Sequence, residues 1–419
     1  MALTLVTIAY PAAASADADG SMFSFNGFGT VGVVHSSEDK ADFVGNFFQP
    51  NGAGFTHRWS PGVDSKFGLQ MEANFNARLS AVVQVVSQHQ YDNSYKPQIE
   101  WANLKYQFTP DVSVRVGRTV SSLFMVSSSG LVSYTYPWVR PPLEVYGELP
   151  INHKDGIDVS YRFHVGDLTS TVESSYGQFT AKVAGGGEGE ADRFFDISET
   201  LERGPGTLRF AYSSALFTLN SPGFDGLFAG FRQFGQALSS IPGLQTTGAQ
   251  ALSLANKYSL NDAPFSIFTI GASYVPGTWL LMAEWEATHG SAAIPNATSW
   301  YVTAGYRINK FTPYLTLSRL TSDQPSEPGI STGGLPSELA VAAAALNGGL
   351  SAVLQGFSGS QQTVSVGMRW DFLRSADCKL QYERLRTLSD SAGNLTNLQL
   401  GFQPGGTVNL FSAAVDFVF

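Results

Sequence analysis

The sequence is poor in charge and almost without cysteine. Only 14% of its 419 residues are Asp, Glu, Lys or Arg, against about 25% in typical soluble domains. The single cysteine, Cys378, excludes an intramolecular disulfide and a cysteine-based metal site. The formal net charge of −9 argues against a nucleic-acid-binding protein, which would carry a basic surface.

Long apolar runs are also missing. After the N-terminus, no segment reaches the roughly 18 apolar residues of a membrane helix, and the best candidate, Leu339–Leu346, is too short. The run Leu3–Tyr10, followed by Ala14-Ser15-Ala16, predicts a signal peptide over residues 1–16. Its basic start is missing, so we expect a truncated start and a mature chain from about Asp17. Without a membrane helix, the chain could span lipid only as a closed barrel.

A two-residue periodicity recurs along the chain. In "GMRWDF" (367–372), Met368, Trp370 and Phe372 alternate with glycine and charged residues. The pattern predicts strands of about ten residues, the length of a tilted strand that crosses a bilayer. The same alternation occurs in 66–75, 79–85, 100–108, 157–165, 279–287 and 300–308.

The connections between these segments alternate in length. Seven short connections carry turn formers and lie near 76–77, 109–111, 166–167, 202–206, 276–278, 309–310 and 373–377. Eight long ones lie near 36–63, 91–97, 120–154, 179–191, 219–263, 289–298, 321–361 and 386–407. Together they predict sixteen strands, with short periplasmic turns and long extracellular loops. Helical spacing in 219–263, and a helix from Pro336 to Leu346 ended by Gly348-Gly349, predict small helices in two loops.

A large soluble β-sandwich or propeller would show the same strand period. Three features favour the membrane barrel: aromatics cluster at strand ends, loop lengths alternate, and the polar face carries charges of both signs. The predicted fold class is therefore all-β, a transmembrane antiparallel β-barrel of about sixteen strands. It forms a single domain over residues 17–419.

The last strand, "NLFSAAVDFVF", places apolar residues at alternate positions and ends on Phe419. With "VRVGR" (114–118), "VRPPLEVYGELP" (139–150) and "GMRWDFLRSADCKLQYER" (367–384), it resembles the Gram-negative outer-membrane porins. The resemblance implies an integral outer-membrane protein surrounded by lipid and lipopolysaccharide. It also implies a homotrimer without a cofactor, whose third long loop folds into the lumen as a constriction.

The third long connection, 120–154, is the candidate constriction loop. It contains Arg140, Glu144 and Glu148, and two prolines that stiffen its backbone. By resemblance, Arg115 and Arg118 would face Glu144 and Glu148 across the narrowest point. The parity of Arg118 is ambiguous because it shares a face with outward-pointing valines, so a bulge would be needed to turn it inward.

Strand parity also places charged side chains in the lumen. The candidate lumen residues beyond the loop are Lys105, Arg162, Arg369, Asp371, Lys379 and Glu383. Over the whole chain the inward set holds nine basic residues, Lys66, Arg78, Lys105, Arg115, Arg162, Arg209, Arg307, Arg369 and Lys379. It also holds nine acidic ones, Glu72, Asp158, Glu173, Asp196, Glu284, Glu286, Asp371, Glu383 and Asp416. The balance predicts no ion preference.

The function predicted is a porin that admits small hydrophilic solutes or ions by passive diffusion. One alternative is a barrel scaffold or adhesin that holds a protein partner, such as a cytochrome. An outer-membrane hydrolase is disfavoured because the six histidines occur in no His-Glu-x-x-His motif and no Gly-x-Ser-x-Gly motif is present. We therefore expect no enzymatic activity, no cofactor and no nucleic-acid partner.

Overall fold

The computed structural model describes residues 21–147, 153–323 and 326–419. Within them, sixteen long antiparallel strands form one sheet that closes on itself. The first strand closes it by pairing with the second on one edge, Gly29 opposite Phe67, and with the last on the other, Gly29 opposite Phe417. Closure leaves no open sheet edge, as a structure immersed in lipid requires. The predicted fold class is confirmed.

The strands alternate in direction and each pairs with its neighbours in the chain. In order they are β1 (Phe23–Ser36), β2 (Lys66–Asn74), β3 (Leu79–Gln88), β4 (Gln98–Gln107), β5 (Val112–Thr119), β6 (Lys154–Val165), β7 (Leu168–Val183), β8 (Gly187–Arg203), β9 (Gly206–Asn220), β10 (Ala263–Tyr274), β11 (Trp279–His289), β12 (Ala297–Tyr306), β13 (Phe311–Ser322), β14 (Gln361–Trp370), β15 (Ala376–Thr387) and β16 (Thr407–Val418).

One predicted long loop, 179–191, is wrong. β7 continues to Val183 and β8 begins at Gly187, so only three residues connect the two strands. Gly185 and Gly186 adopt φ of 85° and 84°, a left-handed conformation that glycine enters without steric cost and that makes the turn tight. The glycine-rich sequence predicted a loop, whereas the cross-strand pairs of this long hairpin continue to its tip.

The outer wall is apolar and the inner wall polar, as the alternation predicts. Trp370 and Leu380 are exposed on the outside, whereas Arg369 and Lys379 on the same strands are buried inside. Aromatic pairs such as Trp279–Tyr306 stand near the short-turn end, where interface girdles lie in membrane barrels. Cys378 lies opposite Trp370 in the register and is half-buried on this outer face.

The long loops carry four α-helices among the described residues: α1 (Leu143–Tyr146), α2 (Pro222–Ser239), α3 (Gln245–Tyr258) and α4 (Ser337–Phe357). The last three pack into one extracellular cluster around Phe228 and Leu350. The predicted end of α4 before Gly348-Gly349 is wrong. The missing side chain of Gly349 lets Leu227 of α2 approach closely, and this packing outweighs the helix cost of glycine, about 1 kcal/mol.

The first and last long loops fold together at the extracellular end. A small sheet joins Asp42–Phe43 to Ala53–Gly54 in one loop and to Leu395–Thr396 in the other. Phe43 packs with Val63, Leu395 and Leu410 of the last strand, and with Leu143 of the third loop. The third loop therefore packs against the first and last loops at the extracellular end, in addition to its contacts with the barrel wall.

Candidate functional site: the lumen and its inward loop

The third long loop, described over residues 120–147, crosses the inside of the barrel. Lys154 of β6 donates to the carbonyl of Val120 at 2.8 Å, where the loop begins. Further along, the Tyr134 hydroxyl reaches the carbonyl of Arg374 in a periplasmic turn at 2.7 Å. The loop thus descends through the lumen to the short-turn side before it returns to α1.

Apolar packing fixes the loop on the inner wall of β7–β13. Trp138 is only 1% exposed, and its ring meets Tyr301 edge-on with centroids 5.5 Å apart. Its indole Nε1 donates to the hydroxyls of Thr303 at 3.1 Å and Thr316 at 3.0 Å. Further loop side chains join inward residues of the strands in the same cluster: Leu123, Phe124, Val126, Tyr136, Val145, Phe194, Phe265, Ile267 and Met282.

Arg140 is the charged anchor of the loop. Its guanidinium donates two hydrogen bonds to Asp64, at 2.8 and 2.7 Å, and others to Glu383 and to Ser412. Burial acts to lower the pKa of Arg140, but the carboxylates of Asp64 and Glu383 outweigh it and raise that pKa above its ordinary value. The fork geometry of arginine suits this bidentate contact, so one side chain joins the first loop, the third loop and β15.

Two basic residues of the wall bind carbonyls of the loop. Arg369 donates to the carbonyl of Tyr134 at 2.7 Å. Lys379 donates to the carbonyl of Ser133 at 2.6 Å and lies 2.8 Å from Asp416. Asp371 receives a hydrogen bond from Arg369 Nε at 2.7 Å. All three residues lie inside the barrel. The loop buries Lys379 completely, whereas Arg369, which the loop also contacts, borders the space that remains in the lumen.

Glu144 does not meet Arg115, contrary to expectation. Its carboxylate accepts hydrogen bonds from Ser318 and Gln361, both at 2.7 Å, and from Thr363, so it is bound to β13 and β14. Arg115 lies on β5, where it contacts Asp158 at 3.6 Å and Glu173 at 3.3 Å. Helix α1 docks on β13 and β14, which places Glu144 away from Arg115. Glu148 lies outside the described residues.

The placement of Arg118 in the lumen is wrong. It pairs with Ala102 and Asp155 in the register and shares the outer face with Val116. Its guanidinium forms a bidentate ion pair with Asp155, at 2.8 and 2.7 Å. Gly117 adopts φ of 122°, but the pairing of β4 with β5 stays in register, so no bulge turns Arg118 inward.

A vestibule of about 1330 Å³ remains inside the periplasmic end of the barrel, beside the loop. Most of its wall comes from β1–β9, and Met282, Arg307, Thr312 and Arg369 border it on the other side. Among the described residues that line it, seven are basic: Arg78, Lys105, Arg115, Arg162, Arg209, Arg307 and Arg369. Four are acidic: Glu72, Asp111, Glu173 and Glu202. The lining therefore carries a formal charge of +3, opposite in sign to the whole chain.

Strand parity alone does not identify which inward residues reach water. Parity predicts only that Arg78, Arg209 and Arg307 point inward, and the structure places them in the lining of the vestibule. Nothing in the local sequence marks Asp64 as an anchor of the loop. For Trp138 there is a signal in its alternation with Tyr134 and Tyr136, since aromatics at every second position of a loop indicate an extended segment with one buried face.

The described residues hold no group of three or more His, Cys, Asp or Glu side chains suited to a metal ion. Their arrangement instead offers fixed charge around a water-accessible space, which acts on ions and polar solutes rather than on a bond.

Comparison with known structures gives the same architecture. An anion-selective porin from Comamonas acidovorans superposes with a TM-score of 0.54 at 11% identity, over 95% of this chain and 99% of that one. The chain has the fold of a Gram-negative porin. The outer-membrane channel DcaP of Acinetobacter baumannii superposes with a TM-score of 0.52 at 12% identity, over 95% of this chain and 97% of that one. The trimer form of OmpT, an outer-membrane protein of Vibrio cholerae, superposes with a TM-score of 0.50 at 12% identity, over 95% of this chain and 100% of that one.

No model of a known protein family matches the chain, and no curated protein does. The porin fold and the apolar outer wall confirm the predicted integral outer-membrane barrel. The resemblance read from the last strand and the internal blocks is likewise confirmed at the level of fold, although the identities of 11–12% are far too low to transfer a substrate.

Proposed function

We propose that this protein is an outer-membrane channel through which small hydrophilic solutes diffuse passively, with anions preferred. The observation that carries the proposal is the vestibule inside the barrel, about 1330 Å³ in volume, with a lining charge of +3. Protein walls of low dielectric focus the field of such charges into the space between them. A small anion therefore gains more from entering than a cation of the same size.

The preference is expected in spite of the chain's net charge of −9. Acidic residues outside the vestibule are screened by salt within about 8–10 Å at physiological ionic strength. Lys105 and Arg162 instead flank the passage itself. Local charge along the pathway decides selectivity, and the total over the molecule does not.

Single-channel recording in a planar bilayer across a KCl gradient tests both parts of the proposal. We expect ion-conducting steps and a reversal potential whose sign shows chloride preference. Arg307→Gln, which removes a vestibule charge, should lower the chloride-to-potassium permeability ratio. Arg232→Gln on the exposed face of α2 is the matched control and should leave it unchanged. No conductance from folded protein would refute the channel, and a cation preference would refute the charge assignment.

A homotrimer, export through an N-terminal signal and the lack of enzymatic activity belong to the same proposal. The trimer form of a structurally similar protein supports the oligomeric state. The predicted signal peptide, residues 1–16, lies outside the described residues. Mass measurement of the detergent-solubilised protein would test the homotrimer. N-terminal sequencing of the mature chain would test export through a cleaved signal. We also expect outer-membrane lipid and lipopolysaccharide to surround the barrel.

A barrel that holds a protein partner is the second candidate. It is favoured by α4, which by length and composition could span a bilayer, yet stands in an extracellular loop with Val341 71% exposed. Recovery of a stoichiometric haem protein with the purified barrel, together with absence of conductance, would favour this function over the channel.

A further inference from the structure

The vestibule has a basic wall and an apolar patch. The basic wall lies on β4–β9 and includes Lys105, Arg162 and Arg209. The apolar patch is formed by the start of the third loop and by β11, and it consists of Phe124, Met125, Val126, Leu280 and Met282. Selection by charge alone does not require apolar side chains in the lining. The patch therefore indicates a solute that has an apolar part as well as a charge.

The basic wall meets the apolar patch along one row of the sheet. Successive partners in the cross-strand register, from β6 to β10, are Arg162, Thr171, Thr200, Arg209 and Gly271. Neighbouring strands lie about 4.8 Å apart, so the backbones of the two arginines are about 14 Å apart and Gly271 is one strand beyond Arg209.

Hydrogen bonds direct both guanidinium groups toward the two threonines between them. Arg209 Nη1 donates to the Thr200 hydroxyl at 2.7 Å, and Arg162 Nε donates to the Thr171 hydroxyl at 3.4 Å. Arg209 also lies 3.8 Å from Glu173, which partly neutralises it. Among the described residues, the two terminal nitrogens of Arg162 make no hydrogen bond. They are therefore available to the carboxylate of a solute, which arginine binds through paired N–H donors.

Met125 brings the apolar patch next to this row. Its thioether occupies the space that a side chain at Gly271 would fill. Its backbone N–H donates to Glu284 at 2.7 Å, which fixes its position. Met125 and Leu280 are half-buried and pack against the apolar cluster that contains Met282. A methionine sulfur makes favourable contacts with aromatic rings and adapts to their shape, so this patch suits a planar ring.

We propose that the vestibule binds organic anions that combine one carboxylate with an aromatic ring. The carboxylate lies between Arg162 and Arg209, above the two threonine hydroxyls. The ring lies against Met125 and Leu280, where the guanidinium of Arg209 is close enough in the row to stack on it. The inference rests on the proposed channel, because it names the class of anion that this vestibule selects.

The test measures binding of benzoate to the full-length barrel in neutral detergent by saturation-transfer NMR, with empty micelles as the blank. Benzoate should bind at least about tenfold more tightly than acetate, which lacks the ring and its buried apolar area. It should also bind at least about tenfold more tightly than benzamide, which keeps the ring without the charge. Equal binding of acetate or of benzamide would overturn the proposal. Both comparisons use the wild-type protein, so they do not depend on the folding of a variant.

Two variants assign the two parts of the site. Arg162→Gln should weaken benzoate binding about tenfold, since a hydrogen bond from a charged group is lost. Met125→Gln keeps the length of the side chain; it should weaken benzoate binding about threefold and leave acetate binding unchanged. The matched controls are Arg232→Gln on α2 and Leu400→Gln, which is 99% exposed in the last long loop. Both controls should bind benzoate as the wild type does, and circular dichroism should be the same for all four variants. Wild-type affinity in both Arg162→Gln and Met125→Gln would overturn the proposal.

Binding and conduction are measured separately, so the two proposals fail in different ways. Chloride conductance without benzoate binding would overturn this inference and leave the channel in place. Benzoate binding without conductance would support the site and refute the channel. If both hold, benzoate should reduce the chloride current as its concentration rises, and acetate should do so far less.

Discussion

Two parts of the barrel interior treat charge in opposite ways. On β4 and β6, Lys105 and Arg162 border the vestibule. On β15, Lys379 and Glu383 are buried beneath the third loop. Strand parity predicts the same inward orientation for all four of these side chains. The comparison shows that a charge facing the lumen can serve either the solute or the loop, depending on whether the loop covers it.

The largest effect is expected from Arg140, which anchors the loop on the covered side. Arg140→Ala would leave Asp64 and Glu383 buried without their cation. Breaking a buried pair from one side costs about 3–5 kcal/mol, and we expect that loss in the free energy of unfolding by urea. The released loop should also make single-channel currents larger and noisier.

Arg162→Ala is the matched control on the vestibule side. Arg162 is half-buried, and its guanidinium Nε donates a long hydrogen bond to the Thr171 hydroxyl at 3.4 Å. We expect a loss below about 1 kcal/mol, as for a surface substitution. If both variants lost the same stability, the distinction between the two walls would not hold.

The second prediction separates packing from polarity beneath the loop. Trp138→Phe keeps an aromatic ring against Tyr301 but removes the donor shared by Thr303 and Thr316. Those two hydroxyls remain bonded to each other at 2.8 Å. We therefore expect a loss of only about 1–3 kcal/mol, from the hydrogen bonds and a small cavity. Urea unfolding measured by circular dichroism, beside Arg140→Ala, would check that the charged anchor costs more to remove.

The third prediction concerns the residues that line the vestibule, where we expect substitutions to change the free energy of unfolding only slightly. Lys105→Glu/Arg162→Glu lowers the lining charge by four, from +3 to −1. The sign of the reversal potential in a KCl gradient should invert to cation preference, while the unfolding free energy changes by less than about 1 kcal/mol. Arg232→Glu on α2 is the control and should leave the reversal potential in place. An uninverted potential would mean that ions do not pass these two residues.

The sequence allowed the barrel to be predicted because each strand carries its own evidence. In β14, Trp370 and Arg369 point to opposite sides by parity alone, and this holds without knowledge of any other strand. The turn at Gly185-Gly186 was missed because glycine-rich loops and glycine-rich turns have the same composition. The path of the third loop was beyond local reasoning, because it depends on pairs such as Ser133 with Lys379, which lie 246 residues apart.

The smallest effect on stability and selectivity is expected at Arg118, for which strand parity alone is ambiguous. Its pair with Asp155 is a third to a half exposed on the outer wall, and such pairs contribute about 0.2–1 kcal/mol. Arg118→Gln should therefore cost less than 1 kcal/mol and leave conductance and reversal potential as in the wild type, because the side chain does not border the passage. Arg115→Gln is the informative partner: it lies three residues away on the lumen face, between Asp158 and Glu173. Removing that charge should lower chloride preference. If Arg118→Gln changed selectivity as much as Arg115→Gln, the guanidinium would have to reach the lumen, and the outward placement of this residue would be wrong.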